Sequence, residues 1–229
     1  MKEIEAIVEK WMSERLDKIE VGELYSRNPI VHRWKAPFRT LVIRELVFWR
    51  HIDLLNQVVF MIKNDHILGA RILLRSAFET IGILIYLNQR MNSLSEGLIS
   101  YDEFESMTKR LLLGTKRSES KFEAINILTI LEKCDKTYPG IFEVYKDLSE
   151  TSHPNFEGMS IGYSELDEDN FVTHLKSRWK ELFSGDLENL IMICISTFDR
   201  EYNHVWPAQF SAVELWFEKN DDELRKRKT

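Results

Sequence analysis

Arg71, Arg75 and Glu79 follow one another at four-residue steps inside LGARILLRSAFETIGILIYLNQ, the strongly apolar stretch from Leu68 to Gln89. At about 100° per residue all three lie on one helical stripe, with Gly82 and Tyr86 close by, on a helix that is otherwise apolar on nearly every side. A helix apolar all round is a buried one, and burying an ion costs several kcal/mol unless partners surround it. Charge placed there is kept for a reason, either a site or a structural tie. A second stripe offers partners. In YKDLSETSHPNFEG, Tyr145 to Gly158, the residues Ile141, Tyr145, Ser149 and His153 repeat every fourth position, and Pro154 stops the helix at His153. An imidazole at a helix end can serve as general acid or base near neutral pH, an arginine can stabilise an anionic transition state, and a serine or tyrosine can orient the reacting group. The candidate catalytic set is His153, Arg75, Ser149 and Glu79, with Arg71, Tyr145 and Asn155 as candidate ligand contacts. The same residues also make sense as a satisfied polar lock that ties two helices in register without chemistry.

Other chemistries find little support. No Gly-x-Ser-x-Gly elbow occurs, and Ser149 sits in mid-helix, which argues against a serine hydrolase. His51, His66, His153, His174 and His204 are scattered and no His-Glu-x-x-His is present, so no metal site is expected. Glycine-rich phosphate loops are absent as well, and no cofactor is expected. Cys134 and Cys194 fall inside apolar helical patterns and read as reduced core thiols.

The elements that must position these residues are helices. Only 9 glycines and 5 prolines occur in 229 residues, and 44% of the chain is hydrophobic, a composition unsuited to many short strands joined by turns. The expected fold is an all-α, single-domain helical bundle built on a long central antiparallel helix hairpin. Its parts are an N-terminal helix and loop (1–36), a core bundle (37–205) and a C-terminal helix with a frayed tail (206–229). The first helix ends near Gly22, and a locally basic loop runs from Tyr25 to Ala36. The hairpin pairs 38–63 with 66–91, Asp65 capping the second helix. Leu41, Val42, Leu46, Phe48, Trp49, Ile52, Leu55, Val59 and Ile62 point inward, while Arg39, Arg44, Arg50 and Asp53 sit at the margins.

Capping boxes are expected at Ser93 with Glu96, Ser100 with Glu103, and Ser120 with Glu123, with short helices near 101–113 and 121–135. Tyr138-Pro139-Gly140 makes a turn before the helix 141–153. A long loop follows from Asn155 to Asn170, then helices over 171–183, 186–205 and from Pro207 to about Lys219. No repeat or low-complexity segment interrupts the pattern.

The net charge of −6 and pI near 5.6 exclude broad, nonspecific attraction to nucleic acid, and the basic tail Arg225 to Lys228 reads as a solvated end. The apolar runs IGILIYL and LIMICI are far short of the roughly 20 residues that span a bilayer. The charged N-terminal stretch lacks the apolar core of a signal peptide, so no membrane association and a cytoplasmic location are expected.

Arg75-x-x-x-Glu79 in an apolar helix, followed some seventy residues later by Tyr145-x-x-Leu148-Ser149-x-x-x-His153-Pro154, resembles a group of bacterial helical proteins related to the HEPN superfamily. The resemblance covers about Leu41 to Gly158. It implies a helical bundle, commonly a homodimer, and a metal-independent ribonuclease of a toxin–antitoxin or antiphage system. RNA or a nucleotide, and an antitoxin or other protein, are the partners it implies. In that role His153 takes the proton of a ribose 2′-hydroxyl, Arg75 stabilises charge on the phosphate, and Ser149 and Glu79 position them. The family's Arg-x4–6-His motif is not met at His153, because Lys146, Asp147 and Leu148 occupy the places where its arginine would stand. Arg44-x6-His51 has the right spacing.

Overall fold

Two helices of 29 residues each, α3 (Lys35–Lys63) and α4 (Ile67–Ser95), meet in a tight reversal at Asn64-Asp65. In the computed structural model, which describes residues 1–117 and 121–227, Asp65 takes a left-handed conformation with φ at +59°. The backbone N–H of His66 donates to Met61 O at 2.8 Å and that of Asp65 to Ile62 O at 3.1 Å. These are the paired bonds of a Schellman stop, and Asp is among the few non-glycine residues that tolerate it. Asp65 therefore closes α3 rather than capping α4, and its carboxylate pairs with Lys180 at 2.8 Å. Pro37 falls in the first turn of α3, where a missing N–H costs no helical bond.

Around the hairpin stand α1 (Lys2–Ser13), α2 (Val21–Arg27), α5 (Tyr101–Leu113), α6 (Ile127–Asp135), α7 (Ile141–Ser152), α8 (Trp179–Phe183), α9 (Leu187–Arg200) and α10 (Trp206–Lys226). α4 packs against α3 and against every helix from α5 to α10. That explains much of its sequence: Leu74, Ala77, Phe78, Ile81, Leu84 and Leu87, over one half of the helix, are fully enclosed. Ile72, Arg75, Glu79 and Arg90 on the other half keep part of their surface in water, so the burial expected on every side of the helix is not met. One cluster of buried apolar side chains runs from Ile4 to Leu224, so the fold is an all-α bundle around the expected central pair. None of its described helices is long and apolar enough to cross a membrane.

The differences from expectation are local and each has a cause. Leu46 and Trp49 face outward on α3, where Trp49 Nε1 donates to Leu16 O and Arg15 lies over the indole; Ile43, Val47, Leu54 and Val58 fill the inner face instead. Arg39, expected at the margin, is buried and reaches Thr108 Oγ1 at 3.3 Å. α4 runs one turn past Met91, because the stop signal is Gly97 at φ +72°, with Leu98 N–H donating to Ser93 O at 2.8 Å. Ser93 thus sits inside the helix and donates its hydroxyl to Gln89 O, with no capping box at Glu96. The Ser100–Glu103 box forms reciprocally. Ser120 lies outside the described residues, and the helix expected from 121 begins only at Ile127, where Asn126 Oδ1 accepts from Leu128 N–H.

α1 ends at Ser13 and not near Gly22, a second short helix α2 runs into the segment expected as a loop, Tyr25 to Ala36, and that segment is strapped to α10. Arg27 and His32 reach Glu214, and Arg33 and Trp34 reach Asp221, so the two arginines find counter-charges within the fold. Beyond His153 the chain makes a π-helical turn, Phe156–Ile161, and then an antiparallel hairpin, β1 (Ser164–Asp167) with β2 (Val172–Leu175), Ser164 opposite Leu175 and Asp167 opposite Val172. The helix expected over 171–183 shrinks to α8, since Val172 and Thr173 favour extended backbone and Asp167 receives the N–H of Asn170 to close the turn. The break expected before Pro207 is absent. A π-helical turn at Glu201–Val205 joins α9 to α10, which continues to Lys226.

Candidate functional site

α7 crosses α4 where the charged stripe lies, and four-residue steps on both helices bring polar groups together rung by rung. On the upper rung Arg75 donates from Nε to Ser149 Oγ at 2.7 Å and from Nη2 to Tyr145 Oη at 2.7 Å. The same Nη2 stands 3.1 Å from Glu79 Oε1, which also accepts the Tyr145 hydroxyl at 3.1 Å. The guanidinium carbon lies 5.0 Å from the Tyr145 ring centre, a cation–π distance. The Arg75 and Glu79 side chains keep 26% and 23% of their surface exposed, so this rung is at the edge of the core.

The lower rung is deeper. Arg71, only 2% exposed, donates from Nε to Thr151 Oγ1 at 2.9 Å and from Nη2 to Asp147 Oδ2 at 2.5 Å. Its Nη1 faces Asp186 Oδ1 at 3.7 Å, and its guanidinium lies 5.3 Å from the Phe183 ring centre. Both carboxylates are more than half exposed, so the arginine is enclosed while its counter-charges remain in water. The two rungs join α4, α7 and the start of α9 in one register.

Four of the seven sequence candidates, Arg75, Glu79, Tyr145 and Ser149, therefore form one hydrogen-bonded group, and Arg71 forms a second beside it. His153 and Asn155 are not joined to either. His153 is the exposed residue that ends α7, and its ring makes no hydrogen bond to a described residue. Asn155 is turned to its own neighbours: Oδ1 accepts Gly158 N–H at 2.9 Å, and Nδ2 donates to Glu150. Asp147 and Thr151 were missed although they repeat the four-residue signal of Tyr145 and Ser149. Asp186 gave no signal, since only the tertiary fold brings it near.

Arg44 and His51, the pair with HEPN-like spacing, occupy the opposite kind of environment. Arg44 pairs with Glu45 and lies 3.6 Å from the Tyr202 ring centre. His51 is fully enclosed between Trp11 and Phe198, its ring centre 4.3 Å from that of Phe198, and burial pushes its pKa down to about 3. No substrate proton can reach it in this conformation.

Among the described residues no group of three or more His, Cys, Asp or Glu is placed to hold a metal ion. Burial drives the thiol pKa of Cys134 up to about 12 and that of Cys194 well above its usual value, so both are inert as nucleophiles in the folded chain. Compared with known proteins, the chain matches no family model, no curated protein and no solved structure.

Proposed function

We propose that this chain is a helical ligand-sensing or interaction module in which the Arg71, Arg75, Glu79, Tyr145 and Ser149 stripe is a structural lock between α4 and α7. One observation carries the reading: the Nε and Nη2 donors of Arg75 are already engaged by hydroxyls of α7 and by Glu79. An arginine held this way has committed the Nε and Nη2 side of its fork, the paired donors that grip a phosphate side-on, and keeps only Nη1 for another acceptor. Unfolding experiments on Arg75→Ala and Ser149→Ala test it. A lock loses stability in both variants, and a pair of variants as stable as the wild type would remove it.

A second reading is favoured by His153. Its exposed imidazole, which makes no hydrogen bond to a described residue, stands one helical turn beyond Ser149, whose hydroxyl holds an arginine that keeps a quarter of its surface in water. In this reading the chain is a HEPN-like, metal-independent ribonuclease of a toxin–antitoxin or antiphage system, acting as a homodimer and held in check by an antitoxin. RNA binding would pull Arg75 from Ser149, and His153 would act as the base. RNA cleavage by the purified protein that is lost in His153→Ala would support it, and no cleavage by the wild type would dismiss it.

A further inference from the structure

Further along the same face of α4, beyond the point where α6 crosses at Gly82, lies a cleft of about 680 Å³ between α4, α5 and α6. Tyr86 and Arg90 continue the stripe of Arg75 and Glu79, and Arg90 is about 16 Å from Glu79 by helical rise. Arg110 of α5 and Lys133 of α6 enter from the other walls. None of these three cations makes an ion pair with a described carboxylate. Arg110 donates to the backbone carbonyls of Glu123 and Ala124, and Lys133 lies 5.1 Å over the Tyr86 ring. Arg90 is the most telling, because its Nε is shielded from solvent and has no hydrogen-bond partner among the described residues. Three cations that converge with no described carboxylate at ion-pair distance are only partly balanced by the more distant Asp102 and Glu103 and repel one another, and a shielded N–H without an acceptor carries a desolvation cost.

An anion seated among them would relieve the repulsion, and it would satisfy the Arg90 Nε once that side chain turns its N–H toward the cleft. The chemistry of the walls narrows which anion. α6 starts at the cleft, so its positive end adds to the three side chains. On the α5 side stand Asp102 and Glu103, the latter already held by Ser100, and Arg90 lies within electrostatic reach of Glu103. Carboxylates beside cations would repel a bare anion, yet they accept hydrogen bonds from hydroxyl groups. The volume falls in the usual range of small-molecule sites and is far larger than one phosphate needs.

We infer that the cleft lined by Arg90, Arg110 and Lys133 binds a small phosphate monoester whose body carries hydroxyl groups, the phosphate lying against the three cations and the hydroxyls against Asp102. The inference rests on the sensing-module reading, since it names that module's ligand class. Its test is separate, because the lock is read by unfolding and the cleft by binding.

Isothermal titration of the full chain at low ionic strength, with inorganic phosphate, a hexose phosphate and adenosine monophosphate in turn, provides the test. At least one of the two esters should bind more tightly than inorganic phosphate. Arg90→Gln and Lys133→Gln should each weaken that ester by about tenfold, the order expected for one charge-assisted hydrogen bond. Lys133→Gln is the safeguard if Arg90→Gln fails to fold, because the Lys133 side chain is only partly buried. Asp102→Asn, at an exposed position, should narrow the gap between the ester and inorganic phosphate. No binding of any of the three by folded wild type, or unchanged ester affinity in Lys133→Gln, would overturn the site. Equal affinity for inorganic phosphate and both esters would overturn the hydroxyl-bearing body.

Discussion

Arg75 and Ser149, 74 residues apart in sequence, are joined by a 2.7 Å hydrogen bond from the guanidinium Nε to the hydroxyl, and that bond fixes how α7 lies on α4. Tyr145 repeats the contact one turn earlier on α7 and passes it to Glu79. Because the arginine and glutamate keep about a quarter of their surface exposed, water can replace a lost partner more readily than in a sealed core. Arg75→Ala should therefore cost about 1–3 kcal/mol, the order of two or three hydrogen bonds, and not the 3–5 kcal/mol of a fully buried broken pair. Urea unfolding against the wild type measures it, and a loss beyond that range would mean the rung is sealed.

Arg71 should respond differently. It is one of the largest fully enclosed side chains, whereas Asp147 and Asp186 lie mainly in water. Arg71→Ala empties a large volume and leaves Thr151 without its donor, so a loss of roughly 3–5 kcal/mol is expected. Arg71→Met refills most of that volume with apolar atoms and should recover a substantial share, because the exposed carboxylates are rehydrated at little cost. If Met proves as damaging as Ala, the charge itself holds the rung together and the packing argument fails.

Asp147→Ala isolates the ion pair. Its carboxylate is 59% exposed and Arg71 retains Thr151 and the more distant Asp186, so the change in stability should stay within about 1 kcal/mol. Thermal unfolding in low and high salt would show it, and a large, salt-sensitive loss would assign the rung to electrostatics.

Much of this arrangement was written in the residues themselves. The four-residue steps of Arg71, Arg75 and Glu79, and of Tyr145 and Ser149, named two facing stripes before any coordinates, since helical geometry alone puts such residues in line. Helix ends with a single strong signal were equally legible, as at Ser100 with Glu103 and at Pro154. The failures cluster where two signals compete. Ser93 could cap, but Gly97 ended α4 later; a helix could start at 121, but Asn126 capped α6 further on; Pro207 could break a helix, but a π-helical turn absorbed it. His153 was placed on the inward stripe by periodicity, yet the helix ends there and releases it to solvent. The cleft had no local signature, because Arg90, Arg110 and Lys133 come from three helices and share no spacing.

His51 makes stability depend on pH. Enclosed by Trp11 and Phe198 with neither ring nitrogen bonded, it stays neutral in the folded chain down to about pH 3, whereas in the unfolded chain it takes up a proton near 6.5. Between these values the unfolded state binds the extra proton, so folding stability falls as the pH is lowered through that window. His32 is shifted the same way by burial, with Glu214 opposing. Between pH 6.5 and 5, where most carboxylates are still ionised, wild type should lose on the order of 1–2 kcal/mol. His51→Phe should lose less over the same interval. Parallel slopes for the two proteins would mean that His51 gains a partner on protonation.

His153→Ala separates structure from chemistry at the end of α7. The ring is exposed and makes no hydrogen bond to a described residue, and the helix stop is supplied by Pro154, so removing the imidazole should change stability by no more than about 0.5 kcal/mol. The variant is thus a folded protein with its lock intact, and any activity it loses belongs to the imidazole. If the chain cleaves RNA, His153→Ala should abolish cleavage while the protein stays folded. Arg75→Ala should abolish cleavage too, at the added cost in stability derived above. An RNA-cleaving wild type whose activity survives His153→Ala would sink the ribonuclease assignment at this site, and His51, the member of the HEPN-like spacing, is no substitute because it is sealed in the aromatic core.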